Sequence, residues 1–123
     1  MIVHVDQVYR EVGGIPLRYD FFRPVSEAVL PLAIGIHGGG WISGCKEDYR
    51  EFGLSLARSG VAVALPQYRL APLHPYPACV EDVRAFIRFA RQSASEWAID
   101  PGKIAVVGNS AGGYLAAMLG LAA

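Results

Sequence analysis

The chain has 123 residues, 53% hydrophobic and 18% charged, with 11 basic and 11 acidic residues and a formal net charge of 0. That length suffices for one domain with a real core, and the composition excludes a disordered or low-complexity chain. No basic run suggests nucleic acid or an anionic membrane surface as a partner.

The N-terminus, MIVHVDQVYREV, carries charge by position 6 and lacks the apolar core of a signal peptide. The longest apolar run, VLPLAIGI (29–36), is too short to cross a bilayer and contains Pro and Gly, so no transmembrane segment is expected. Two cysteines, Cys45 and Cys79, do not make a disulfide framework, and a cytoplasmic location is the default expectation.

Residues 3–12 alternate as a strand, Gly13-Gly14 marks a turn, and IPLRYDFFRP completes a hairpin ended by Pro24. PLAIGIH is a compact apolar run without alternation, as expected of a strand buried on both faces. KEDYREFGLSLARSG has helical spacing, with Tyr49, Phe52 and Leu56 on one face and Gly60 as its stop. VAVALPQY is a further buried strand, and RLAPLHPYPA is a proline-rich loop. From Cys79 to about Ser95, Val83, Phe86, Ile87 and Ala90 form an apolar stripe, with Arg84, Arg88 and Arg91 opposite. Asp100–Gly102 is a turn, KIAVVGN is a third buried strand, and a small-residue helix starts at Ser110. The order ββ, then β-α-β-α-β-α, predicts a single α/β domain, a mainly parallel sheet carrying an antiparallel hairpin at one edge.

Two motifs carry chemistry. GNSAGG (108–113) has the form G-x-S-x-G between a buried strand and a helix, the setting of a nucleophile elbow. There Ser110 projects its hydroxyl from a sharp turn, Gly108 and Gly112 avoid the collision that side chains would cause, and the Ala111 N–H points toward a developing oxyanion. The stretch lacks the lysine of a phosphate-binding loop and the spacing of a dinucleotide fingerprint. HGGGW (37–41) also follows a buried strand. The glycines Gly38, Gly39 and Gly40 let the backbone approach a substrate carbonyl and offer N–H groups to it. His37 reads as a loop-organising hydrogen bonder. Gly40 and Ser110 are 70 positions apart, and both motifs open at the C-terminal edge of the sheet, where such folds bind ligands.

HGGGW with SGCKEDY, then YRLAPLHPYPACVEDV, then IDPGKIAVVGNSAGGYLAAML together resemble the N-terminal half of an α/β-hydrolase of the hormone-sensitive-lipase-like carboxylesterase group, of the feruloyl-esterase and kynurenine-formamidase type. The resemblance runs from about Gly14 onward. It implies a sheet order beginning 1-2-4-3-5, about three helices, and hydrolysis of small carboxylic esters. It also implies Ser110 as nucleophile and Gly39, Gly40, Gly38 and Ala111 as oxyanion donors, with His37, Trp41 and Asn109 supporting the motifs. Asn109 stands where the group often has Asp. No cofactor is implied.

In that fold the acid and the histidine follow the serine. Only 13 residues follow Ser110, and none is Asp, Glu or His, so the expectation is half of a catalytic domain with an incomplete triad. Among substitutes, His4 lies on the edge hairpin, His74 reads as packing a proline-rich loop, and Glu81, Asp82, Glu47 and Asp48 read as helix-start residues. Met118 and Leu119 read as core, and no Cys/His set has metal spacing, so no metal is expected. Three readings follow: a fragment of an esterase, an inactive protein binding acyl ligands or a partner, or an esterase completed by a second chain. The elbow strand, interior in the family order, would here be an open edge that invites self-association.

Overall fold

A computed structural model describes residues 1–40, 42–108 and 112–113. The first two strands, β1 (Ile2–Val12) and β2 (Ile15–Arg23), pair antiparallel across Gly13 and Gly14. Both glycines have positive φ, 56° and 80°, the backbone a tight two-residue hairpin turn requires. Strands β3 (Leu30–Ile36), β4 (Ala62–Pro66) and β5 (Ile99–Gly108) complete a five-stranded sheet of order β1-β2-β4-β3-β5. β3 runs parallel to both β4 and β5, while β2 meets β4 antiparallel. The expected order and the hairpin-plus-parallel arrangement both hold.

Alternation along the strands divides the core between two faces. Phe21, Ala62, Ala64 and Ile34 pack with Val83, Phe86 and Ala90 of α2 (Ala78–Gln92) and Trp97 of α3 (Ala94–Trp97). Trp97 stacks on Phe21 with ring centroids 4.6 Å apart. Phe22, Val63 and Leu65 point the other way, onto Ala57 of α1 (Arg50–Arg58). Burying each such large side chain is worth about 1.5–3 kcal/mol. The apolar stripe of α2 is as expected, and Arg84, Arg88 and Arg91 are exposed opposite it.

Three local expectations need correction. The KEDYREF helix begins as a 3-10 turn, η1 (Lys46–Tyr49), and Phe52 is 48% exposed. The helix instead approaches the sheet through Gly53, where a Cβ would stand 3.2 Å from Leu65, 3.3 Å from Val63 and 3.5 Å from Phe22; that close approach turns Phe52 outward. The helix expected to reach Ser95 breaks at Ser93. There the Ser93 N–H donates to Phe89 and Ala90 carbonyls, and α3 then ends on Ala98 at φ 52°. Asp100–Gly102 is a turn absorbed into β5. The Gly102 N–H donates to Asp100 Oδ1 at 2.8 Å, and the ladder shifts from Leu30↔Ile99 to Leu32↔Ile104 around it.

Candidate active site

The loop leaving β3 carries His37 and the three glycines. His37 is 1% exposed and lies flat on Tyr68, the ring centroids 4.3 Å apart with 9° between the planes. The Tyr68 hydroxyl donates to the His37 carbonyl at 2.7 Å, and His37 Nδ1 meets the Gly38 carbonyl at 2.8 Å. Burial lowers the His37 pKa from its ordinary value, against a smaller opposing push from the Gly38 hydrogen bond, Asp48 and Glu47. The neutral ring therefore carries its proton on Nδ1, the tautomer able to donate to Gly38. Burial pushes the Tyr68 hydroxyl up to about 12, so it remains a donor. His37 is thus fixed at the start of the loop by Tyr68 and the Gly38 carbonyl.

Gly39 and Gly40 have φ of 130° and 66°, conformations that side chains rarely adopt. The Gly39 carbonyl accepts from the Ser43 N–H at 3.0 Å and the Ser43 hydroxyl at 2.8 Å, folding the loop back on itself. A Cβ on Gly39 would strike the Ser43 backbone, and one on Gly44 would strike the Gly38 carbonyl. The loop is held tight by glycine at both ends.

The second motif closes against the same strand end. A Cβ on Gly108 would run into the Gly112 backbone, and one on Gly112 would run into the carbonyl oxygens of Ile36 and His37. Gly112 therefore sits directly beside the start of the His37–Gly40 loop, with Gly108 against it. Gly112 and Gly113 are helical. Ser110, Ala111, Asn109 and Trp41, and with them Met118 and Leu119, lie outside the described residues.

Of the other candidates, His4 sits on β1 with its ring 6.3 Å from Phe21. His74 is half-buried on the loop after β4 and shares a cavity wall with Gly40. Cys45 and Cys79 are free thiols, the first exposed and the second buried. Asp48 caps the turn after the loop, its Oδ2 accepting from the Cys45 N–H at 3.0 Å.

Two charged clusters have no counterpart in the sequence reading. Asp82 is fully buried rather than a helix-start residue. Arg69 holds it through Nε and Nη2 at 2.8 and 2.9 Å, the Arg69 N–H donates at 2.8 Å, and Arg10 adds a contact at 3.0 Å. Lys46, 1% exposed, donates to Asp6 and Asp20 at 2.8 Å each and to Glu47, while Arg50 meets Asp20 at 2.9 Å. Burial alone would lower the Lys46 pKa, but hydrogen bonds to Asp20, Asp6 and Glu47 outweigh it and raise the value. The three carboxylates converge closely enough to suggest a cation site, and the Lys46 ammonium is the cation they surround. The one available signal for Asp82 was a lone carboxylate next to Val83 on an otherwise apolar helix face.

A family model described as BD-FAE matches residues 19–123. The carboxylesterase NlhH of Mycobacterium tuberculosis is 38% identical over 112 residues, covering 90% of this chain and 35% of that protein. A solved esterase of Pyrobaculum calidifontis superposes with a TM-score of 0.89 at 38% identity, covering 98% of this chain and 39% of the other. Esterase 2 of Thermogutta terrifontis, solved with propionate, gives 0.87 at 32% identity, covering 94% of this chain and 44% of that one. The chain thus spans about a third of the length of the curated relatives it matches. Among the described residues no helix is long and apolar enough to cross a membrane. The relatives include carboxylesterases and an AB hydrolase superfamily protein, the solved neighbours are esterases, and with the family model matching from within β2 through residue 123 the chain belongs to the BD-FAE family.

Proposed function

We propose that the chain carries the nucleophile and oxyanion-hole portion of a serine carboxylic-ester hydrolase. Ser110 Oγ adds to the ester carbonyl carbon, and the oxygen becomes an oxyanion received by N–H groups of Gly39, Gly40 and Ala111, with Gly38 beside them. The tetrahedral intermediate expels the alcohol to leave an acyl-serine, which water then hydrolyses to the carboxylic acid. The observation that supports this reading is the glycine-only approach of Gly112, the last residue of the G-x-S-x-G motif, to the Ile36 and His37 carbonyls at the start of the His37–Gly40 loop.

The proton acceptor for Ser110 and the acid that orients it belong to the complementary segment of a full catalytic unit. The coverage of about a third of relatives such as NlhH supports that assignment. Alone, this portion has only binding and oxyanion stabilisation to offer, several orders of magnitude below a complete triad. Among the described residues β5 lies at an outer edge of the sheet, which supports a second reading, association of this chain with itself or a partner through that edge. Two free thiols fit a reducing compartment, the cytoplasm.

A fluorophosphonate probe and p-nitrophenyl acetate test the reading, with Ser110→Ala as control. Labelling and hydrolysis that vanish in the variant support an acyl-serine. Rates equal to the variant's would replace it with the binding-module reading, and a monodisperse monomer in light scattering would remove the edge-pairing one.

A further inference from the structure

The β1–β2 ladder gains one residue on β1 between His4 and Gln7, and Asp6 takes φ 54° there while its N–H donates to Asp20 Oδ1 at 3.0 Å. In a regular strand residues 4 and 7 would point to opposite faces. Here the bulge brings both side chains to one cavity of about 220 Å³, walled by β1, β2 and α3. That is room for one ring, since a cavity of about 150 Å³ holds benzene. Trp97 on its wall stands just before β5 begins, whereas the glycine motifs gather where β3 and β5 end.

The floor is aromatic and buried. Trp97, 9% exposed, stacks on Phe21, and the Tyr19 ring stands 5.6 Å from Trp97. Tyr19 is 7% exposed, yet its hydroxyl has no hydrogen-bond partner among the described residues. Burial first, and the Glu96 carboxylate second, raise its pKa, so the hydroxyl lies in the field of Glu96 on the wall of the same cavity. Buried hydroxyls ordinarily find a partner, and this one faces a space that could supply it.

The hydrogen-bonding groups decide the sign of the ligand. Arg23 also lines the floor, but its five N–H groups are all committed to carbonyl oxygens and none is left for an anion. Glu96 is exposed at the rim and forms no ion pair among the described residues. The cavity thus offers aromatic surface, an unpartnered phenol oxygen and an unpaired carboxylate. An organic ammonium needs these: acceptors for its N–H groups and π-electrons near its charge.

We propose that this cavity binds a small free organic ammonium ion, its nitrogen between Glu96 and the Tyr19 hydroxyl and its apolar part on Phe21 and Trp97. The binding involves neither glycine motif and needs no ester chemistry.

The test is an NMR titration of the full chain with benzylammonium, benzyl alcohol and benzoate, probes of similar size that differ in charge. Benzylammonium binds about tenfold more tightly than benzyl alcohol, with intermolecular NOEs to the Trp97 and Phe21 rings, and benzoate binds more weakly still. Glu96→Gln, its fold checked by amide spectra, cuts the preference for ammonium over alcohol to about threefold or less. Equal binding of the three probes, an unchanged preference in Glu96→Gln, NOEs to Ile42 or Tyr76 in place of Trp97, or no binding of benzylammonium each overturn the proposal. Should Glu96→Gln fail to fold, the order of the probes and the NOEs on the parent chain decide. Benzylammonium bound at Trp97 by a chain that no fluorophosphonate labels would overturn the acyl-serine reading and leave this one standing.

Discussion

Tyr68 and His37 are joined twice over: their rings stack 4.3 Å apart, and the Tyr68 hydroxyl donates to the His37 carbonyl at 2.7 Å. Tyr68 follows β4 and His37 follows β3, so the pair locks together the two strand ends from which the candidate site is built. Tyr68→Phe keeps the stack and leaves a buried carbonyl without this donor. We expect a loss of about 1–3 kcal/mol in urea unfolding, with the aromatic contact preserved in NOE spectra.

The buried imidazole makes part of the stability pH-dependent. His37 is lowered from 6.5 by burial, so its neutral form is favoured in the fold. The contribution is present above the unfolded value and is lost as pH falls through the lower folded value. Unfolding free energy should therefore decline from about pH 6.5 downward. His37→Asn, which can still donate to the Gly38 carbonyl, should flatten that decline; an unchanged slope would assign it to another group.

Glycine substitutions separate steric need from backbone preference. Gly112→Ala drives a Cβ into the Ile36 carbonyl oxygen and has no side chain that can yield. We expect about 4 kcal/mol or more, at the severe end for one substitution. Gly40→Ala meets open space and pays only for φ of 66°, about 1–2 kcal/mol. Thermal unfolding of the two variants should rank them clearly.

Lys46→Met leaves Asp20, itself fully buried, with Arg50 and the Asp6 N–H as its remaining partners. Removing one partner of a buried pair costs about 3–5 kcal/mol. Burial alone raises the Asp20 pKa, but hydrogen bonds from Lys46, Arg50 and the Asp6 N–H carry it below 3.8. Its contribution is accordingly present above 3.8 and disappears as acid protonates it. Equilibrium unfolding of the variant should show the loss at neutral pH and little difference from the parent at pH 2.

Strands β3 and β4 were legible because both of their faces are buried, which leaves an unbroken apolar run such as LPLAIGI. The glycine motifs were legible because close backbone approach excludes other residues, as the contacts of Gly112 show. Phe52 does share a helix face with Tyr49, their rings 5.4 Å apart, but spacing alone does not say how deep that face sits: Phe52 is 48% exposed, and Gly53 makes the close approach to the sheet. Lys46 and Asp82 were missed for a different reason. Their partners are 40 and 72 positions away at the furthest, Asp6 and Arg10, and no local pattern encodes a charge pair formed only by folding.

Arg23 shows how such long-range closure can be made without acids. Among the described residues its guanidinium donates only to carbonyl oxygens: Trp97 at 3.1 Å, Pro24 at 3.0 Å, Ser26 at 3.1 Å, Ala28 at 2.6 Å and Ala98 at 3.4 Å. It ties the β2–β3 connection to the start of β5. Acid removes no acceptor from this clamp, whereas it removes Asp20 from the Lys46 cluster that fastens η1 to the hairpin. On acidification the sheet should loosen from one side first. Amide hydrogen exchange would quicken around β1 and η1 while the Trp97–Ile99 junction still protects its protons.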